Sequence, residues 1–182
     1  AARWSLSKFN SGLAGLMKNK NGQVQVMFIQ GYAPRPISSP EIDHIINGYD
    51  AVSDATAFSY MLGGHPMYQI NFPTPQKSWL YDATTNMWTS LEYDLSGGRH
   101  RGELQLDFLN KTLIADYSNG NIYELDADVY TDNGTAIVRE ITGRHFFSDN
   151  KRLIVDELFC DFETGVGLVS GQGSDPQAML KV

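Results

Sequence analysis

Cysteine is nearly absent from this chain: Cys160 is the only one in 182 residues. No internal disulfide can form, so packing and hydrogen bonds must hold the fold, as expected of a chain made in a reducing cytosol. Cys160 alternates with aromatics in Leu158-Phe159-Cys160-Asp161-Phe162. That is the setting of a buried structural thiol, whereas a nucleophile needs an exposed, electropositive neighbourhood. Basic residues are also few, 14 Lys and Arg against 21 Asp and Glu, for a net charge of -7. A chain of this balance is ill suited to wrapping nucleic acid, whose phosphates call for clustered cations. The local basic spots, Arg99-His100-Arg101, Arg139, Arg144-His145 and Lys151-Arg152, read as solvated strand ends or subunit contacts. No apolar run approaches the roughly 20 residues of a membrane span.

Histidine is scarce too. His44, His65, His100 and His145 show no metal-ligand spacing, and neither CxxC nor HExxH occurs. Carboxylates gather at Asp156-Glu157 and at Asp161 and Glu163. A glycosidase places two such acids across a sugar, but here they alternate with apolar residues and also read as outer-face strand positions. Gly165-Val166-Gly167 and Gly171-Gln172-Gly173 resemble a phosphate loop superficially, without the Lys-Ser or Lys-Thr that would complete it. No residue is therefore assigned a catalytic, cofactor-binding or metal-binding role.

Aromatics, by contrast, are plentiful: nine Tyr, nine Phe and three Trp, which suit half-buried pleated strands. The stretch from Met67 to Asp126 reads one strand pattern twice. The first copy runs Met67–Phe72, Ser78–Asp82 and Met87–Leu91; the second runs Gly102–Phe108, Lys111–Tyr117 and Asn121–Asp126. Tyr81-Asp82 and Leu125-Asp126 end comparable strands about 44 residues apart, a spacing typical of propeller blades. The expected fold is mainly β, a β-propeller-like array of short antiparallel strands with one inserted helix at about 39–47. It is read as a single β-rich domain over 1–182. Residues 1–55 would hold the first strands and the helix, 56–101 and 102–146 two blade-like units, and 147–182 the start of another. The helix is signalled by Ser39 as cap, Pro40 at the first helical position, Glu41 in the first turn and Gly48 at the end. Ile42, Ile45 and Ile46 mark its apolar stripe. The beginning at Ala1-Ala2-Arg3-Trp4 and the end within the strand pattern Ala178–Val182 read as a fragment of a longer protein.

Ser78-Trp79-Leu80-Tyr81-Asp82-Ala83-Thr84-Thr85-Asn86-Met87-Trp88 looks like the third-to-fourth strand hairpin of kelch repeats, in which a Trp packs between blades. A more specific resemblance covers most of the chain. Its residues are Ile37-Ser38-Ser39-Pro40-Glu41-Ile42-Asp43, the Tyr60 to Phe72 segment, Trp79-Leu80-Tyr81-Asp82, Phe162-Glu163-Thr164-Gly165-Val166-Gly167 and Gly173–Leu180. Together they resemble the packaged-DNA stabilisation proteins of short-tailed phages of enteric bacteria. The resemblance implies a non-enzymatic tail hub, a ring of six copies in the virion, made in the host cytoplasm. Such a hub sits below the portal and its adaptor ring, stops the genome leaking and receives the tail needle and the tailspikes. DNA passes nearby, and no specific nucleic-acid site, membrane contact or cofactor is implied. Two other readings stay open from the residues: a carbohydrate-binding or carbohydrate-processing propeller acting through Asp156, Asp161 or Glu163, and a kelch-like protein-docking module.

Overall fold

In the computed structural model the described residues are 2–93, 97–129, 131–143, 149, 151, 152, 154–157, 159 and 161. The chain forms two compact units, Ala1–Val129 and Tyr130–Val182. In the second, the described regular structure is one short hairpin, Thr131–Asp132 with Thr135–Ala136.

The first unit is three antiparallel meanders in succession. Sheet 1 holds β1 (Ser7–Phe9), β2 (Gly12–Lys18), β3 (Val24–Gln30) and β4 (Ala33–Pro36). Sheet 2 holds β5 (Thr56–Leu62), β6 (His65–Phe72), β7 (Lys77–Asp82) and β8 (Met87–Leu91). Sheet 3 holds β9 (Gly102–Phe108), β10 (Lys111–Asp116) and β11 (Ile122–Glu124). The mainly β, propeller-like expectation is met. Its repeat, however, starts one strand earlier than the sequence pattern suggests. β9 and β10 begin 46 residues after β5 and β6 (102 minus 56, 111 minus 65), so β9 matches β5 and not β6. Each sheet opens with a tight hairpin whose two loop residues both have positive φ: Asn10-Ser11, Gly63-Gly64 and Leu109-Asn110. This turn matches the right-handed twist of the flanking strands and favours Gly or Asn, as at Gly63-Gly64.

Sheets 1 and 2 stack through apolar faces. Phe9, Ala14, Leu16, Val26 and Phe28 meet Tyr68, Ile70, Phe72 and Tyr81 in one buried cluster. Phe9 is the hub, its ring 6.0 Å from Phe28 edge-on, 5.8 Å from Tyr68 and 6.0 Å from Tyr81. Sheet 2 turns its other face to sheet 3, where Phe58 and Tyr60 bury Ile114, flanked by Leu62, Met67, Leu80 and Leu125. β6 is therefore covered on both sides, and Tyr68, Gln69, Ile70, Asn71 and Phe72 are each 0% exposed.

The expected helix is α1 (Pro40–Asn47), with the Ser39 hydroxyl accepting from the Ile42 N–H and Gly48 at its C-cap. Ile42 and Ile46 are buried, but Ile45 is 38% exposed. The apolar stripe is thus narrower than the three isoleucines suggest. The helix lies against the free stretch of the β3 edge. β4 pairs with Met27–Gln30 only, and beyond it side chains take over. The Asn47 amide accepts from the Val24 N–H at 2.9 Å and donates to the Val24 carbonyl at 2.8 Å, and the Ser38 hydroxyl accepts from the Val26 N–H at 3.1 Å. An otherwise open edge is closed in this way. The segment also reaches sheet 2: Trp79 Nε1 donates to Tyr49 Oη at 3.0 Å and Trp88 Nε1 to the Ile37 carbonyl at 2.9 Å.

Of the misfits in the opening turns, Ser11 at φ 63° and Leu109, Leu109 is the bulkier. It sits at φ 49° and is 78% exposed, although a left-handed conformation costs a non-glycine, non-asparagine residue roughly 1–2 kcal/mol. Leu109→Asn is expected to stabilise the chain by about 1 kcal/mol, read as a higher denaturant midpoint at unchanged slope. A neutral or lowered midpoint would show that the Leu109 side chain contributes contacts that offset the strain.

Candidate functional site

The densest polar chemistry among the described residues lies where sheet 2 meets the start of sheet 3. Gln69 and Asn71 alternate with Tyr68, Ile70 and Phe72 along β6, so their amides point away from the aromatic cluster. Asn71 Nδ2 donates to the Gly102 carbonyl at 2.8 Å, and Asn71 Oδ1 accepts from Ser78 Oγ at 2.7 Å and Gln69 Nε2 at 3.1 Å. Gln69 Nε2 also lies 3.0 Å from His100 Nδ1, which accepts from the Gly102 N–H at 3.0 Å. With the Gly102 proton directed at it, Nδ1 is the unprotonated nitrogen of the ring. Ser78 Oγ completes the seam by accepting from the His100 N–H at 3.1 Å. Gly102 lets the chains cross this closely: a Cβ there would lie 2.6 Å from Ile114 and 3.1 Å from the His100 ring.

The segment leading into β9 is tied down by two arginines. Arg99 is buried, lies 3.6 Å from the Tyr117 ring centre and donates to Glu103 at 2.6 Å. Arg101 lies 3.6 Å from the Tyr93 ring centre and bonds Asp116 at 3.2 Å and Ser118 Oγ at 2.8 Å. Burial alone would raise the Asp116 carboxyl, but the Ser118 N–H and hydroxyl, then Arg101, outweigh it and hold the group below its ordinary value. Arg99 and Arg101 are thus not the solvated strand ends that the sequence suggests. Stacked on aromatics and paired with carboxylates, they are internal ties, whereas Lys151 and Arg152 are exposed.

The other residues singled out from sequence do not converge. His44 is exposed on α1. His65 Nδ1 pairs with Asp82 Oδ2 at 2.8 Å. Asp156, Glu157 and Asp161 are exposed. His145, Cys160, Glu163 and the glycine-rich passage from Gly165 to Gly173 lie outside the described residues. Among the described residues no group of three His, Cys, Asp or Glu could hold a metal ion, and no helix is long and apolar enough to cross a membrane. Sequence reasoning missed Gln69, Asn71 and Ser78. Their polar alternation looks like an ordinary solvated strand face, and only the stacking of a third sheet reveals their burial. The arrangement as a whole fixes sheet against sheet and strap against sheet.

Comparison with known families gives the same picture a lineage. The family model described as bacteriophage P22 Gp10, beta-propeller, matches residues 1–130, which takes in all three sheets. No curated protein matches the chain. The chain belongs to that phage family, its sheets are propeller blades, and it is a structural protein of the P22-type phage tail.

The His65–Asp82 pair closes the β7–β8 turn, where Asp82 also accepts from the Thr84 N–H at 2.7 Å and Thr85 Oγ1 at 2.9 Å. Partial burial by itself raises the Asp82 carboxyl, but the His65, Thr84 and Thr85 hydrogen bonds and the His65 charge together lower it from 3.8 to about 2. A carboxyl lowered by folding stabilises the native state fully above its ordinary value and loses that contribution as pH falls through the folded one. The stability gap between wild type and Asp82→Asn, present at about pH 6, is expected to close between about pH 4 and pH 2 in urea titrations. A gap that persists unchanged to about pH 2 would show that the negative charge is not what holds the turn.

Proposed function

We propose that this member of the phage family acts in the tail hub that closes the portal channel after DNA packaging, and carries no catalytic activity of its own. In this reading six copies surround the channel below the adaptor ring. They retain the packaged genome and provide the attachment site for the tail needle and the tailspikes. The observation that carries the reading is the family match over residues 1–130, because it spans the whole stacked-sheet unit and not an isolated motif.

Two physical features support it. The net charge of -7 favours a wall that phosphate slides past over one that grips it, since like charges repel along a channel. Closure would then depend on contacts between proteins. Moreover, β6 side chains cross to the start of sheet 3, Asn71 donating to the Gly102 carbonyl and Gln69 meeting His100, which suits a rigid building block.

Genome retention tests the proposal. Phage heads filled with DNA but lacking this component are supplied with the protein in its full-length form, and nuclease-sensitive DNA is followed over time. Protection of the genome, together with subsequent uptake of needle and tailspike, is the expected result. Unchanged leakage would overturn the hub role.

A further inference from the structure

Four Asn-Gly steps occur in the chain, at Asn21-Gly22, Asn47-Gly48, Asn119-Gly120 and Asn133-Gly134. Asparagine is thermolabile, and most so before glycine, whose nitrogen has no Cβ beside it to block approach to the asparagine side chain. In the reaction the glycine N–H gives up its proton and the nitrogen attacks Cγ. A C–N bond closes a succinimide ring while the side-chain nitrogen leaves as ammonia. Water then opens the ring at either carbonyl and leaves aspartate or isoaspartate. Water is the only reagent consumed.

The dipeptide is the same at all four steps, but its surroundings differ. Three lie in exposed loops and leave a reacting group unbound among the described residues. The Asn21 side chain makes no hydrogen bond, although the Gly22 N–H donates to the Asn19 carbonyl at 3.0 Å. Asn119 accepts from the Asn121 N–H at 2.8 Å and donates to Tyr123 Oη at 3.1 Å, while the Gly120 N–H is unbound. Asn133-Gly134 is the turn of the last hairpin, with φ 49° and 83°, and neither reacting group is bonded. Asn47 is exposed too, yet both of its reacting groups are engaged. Its Nδ2 donates to the Val24 carbonyl at 2.8 Å and the Asp43 carbonyl at 2.7 Å, and its Oδ1 accepts from the Val24 N–H at 2.9 Å. The Gly48 N–H donates to the His44 and Ile45 carbonyls at 3.2 and 3.1 Å.

We propose that the three loop steps are sites of spontaneous deamidation in the folded protein, and that Asn47 is a latent one, converted only when α1 leaves the β3 edge. Conversion there is a one-way change. A carboxylate at position 47 has no N–H for the Val24 and Asp43 carbonyls, so oxygen faces oxygen, and the stretch of β3 that the amide closes is left open. The inference rests on these contacts alone and does not depend on the hub role.

The 182-residue chain is incubated at mildly alkaline pH, either folded or in urea, and each Asn-Gly step is followed by peptide mass spectrometry with isoaspartate detection. In the folded chain Asn47 is expected to convert at least about tenfold more slowly than the slowest loop step, a factor that one hydrogen bond supplies. In urea its rate should rise to the range of the other three. Ser39→Ala, which removes the helix cap, should speed conversion at Asn47 and leave the loop rates unchanged. Asn47→Asp should lower the thermal midpoint and speed exchange of the Val24 amide. Conversion of Asn47 at the loop rates in the folded chain overturns the inference, as does a folded chain in which no loop step converts. So does an Asn47 that stays slow in urea, which would place the protection in the local sequence, or an Asn47→Asp chain with wild-type stability and Val24 exchange.

Discussion

β6 has no solvent side, and the rest of the first unit is arranged around that constraint. Five consecutive residues, Tyr68 to Phe72, are out of contact with water. A buried polar group left without a partner costs about 1–3 kcal/mol. Gln69 Oε1 has no hydrogen-bond partner among the described residues, but the Tyr68 hydroxyl, the Gln69 Nε2 and the Asn71 amide each tie β6 to another group. Tyr68 Oη donates to the Ser5 carbonyl at 2.7 Å, and the Ser5 hydroxyl in turn accepts from the Leu16 N–H at 2.9 Å and donates to the Ala2 carbonyl at 2.7 Å. The N-terminal segment is thereby fixed to sheet 1 from one face of β6. From the other face, Asn71 holds Gly102 and Gln69 reaches His100. Aromatic packing on one side and amide bonding on the other join three sheets to one strand.

The same economy appears at the edges. A meander leaves an unpaired strand at each end, and open edges invite unwanted pairing. β4 carries Pro34 and Pro36, which cannot donate to a further strand. Where β4 stops, Ser38 and Asn47 imitate strand partners for β3. α1 is therefore a plug on the first sheet as well as a connection to the second, and Trp79 and Trp88 bind the connecting segment from sheet 2. In a chain whose single cysteine rules out an internal disulfide, these cross-ties hold the sheets of the first unit together.

Much of this was legible in the residues. Ser39-Pro40-Glu41 and Gly48 announce the helix because capping is local chemistry. The alternation in Met67–Phe72 and Lys111–Asp116 announces strands because the pleat has a period of two. The kelch-like hairpin Tyr81-Asp82 to Trp88 emerges as the third and fourth strands of its sheet, with Trp88 bonded across to Ile37. The illegible parts all depend on the next layer. The strand pattern that begins at Met67 sets β6 against β9, one strand out of phase, because β5 and β9 share little beyond apolar alternation. Arg99 and Arg101 looked solvated because nothing local signals Tyr117 or Tyr93 above them. Gln69 and Asn71 looked like a wet face because a strand's sequence does not tell water from a neighbouring sheet that supplies the same hydrogen bonds.

Native-state hydrogen exchange on the amides of Tyr68 to Phe72 tests most directly whether β6 locks the three sheets into one cooperative unit. The account predicts that these amides exchange only through global unfolding, with the same free energy as the Leu16 and Val26 amides of sheet 1 and the Ile114 amide of sheet 3. Exchange of the Ile114 amide at a clearly lower free energy than those of β6 would contradict it, because sheet 3 would then open while sheets 1 and 2 stay closed.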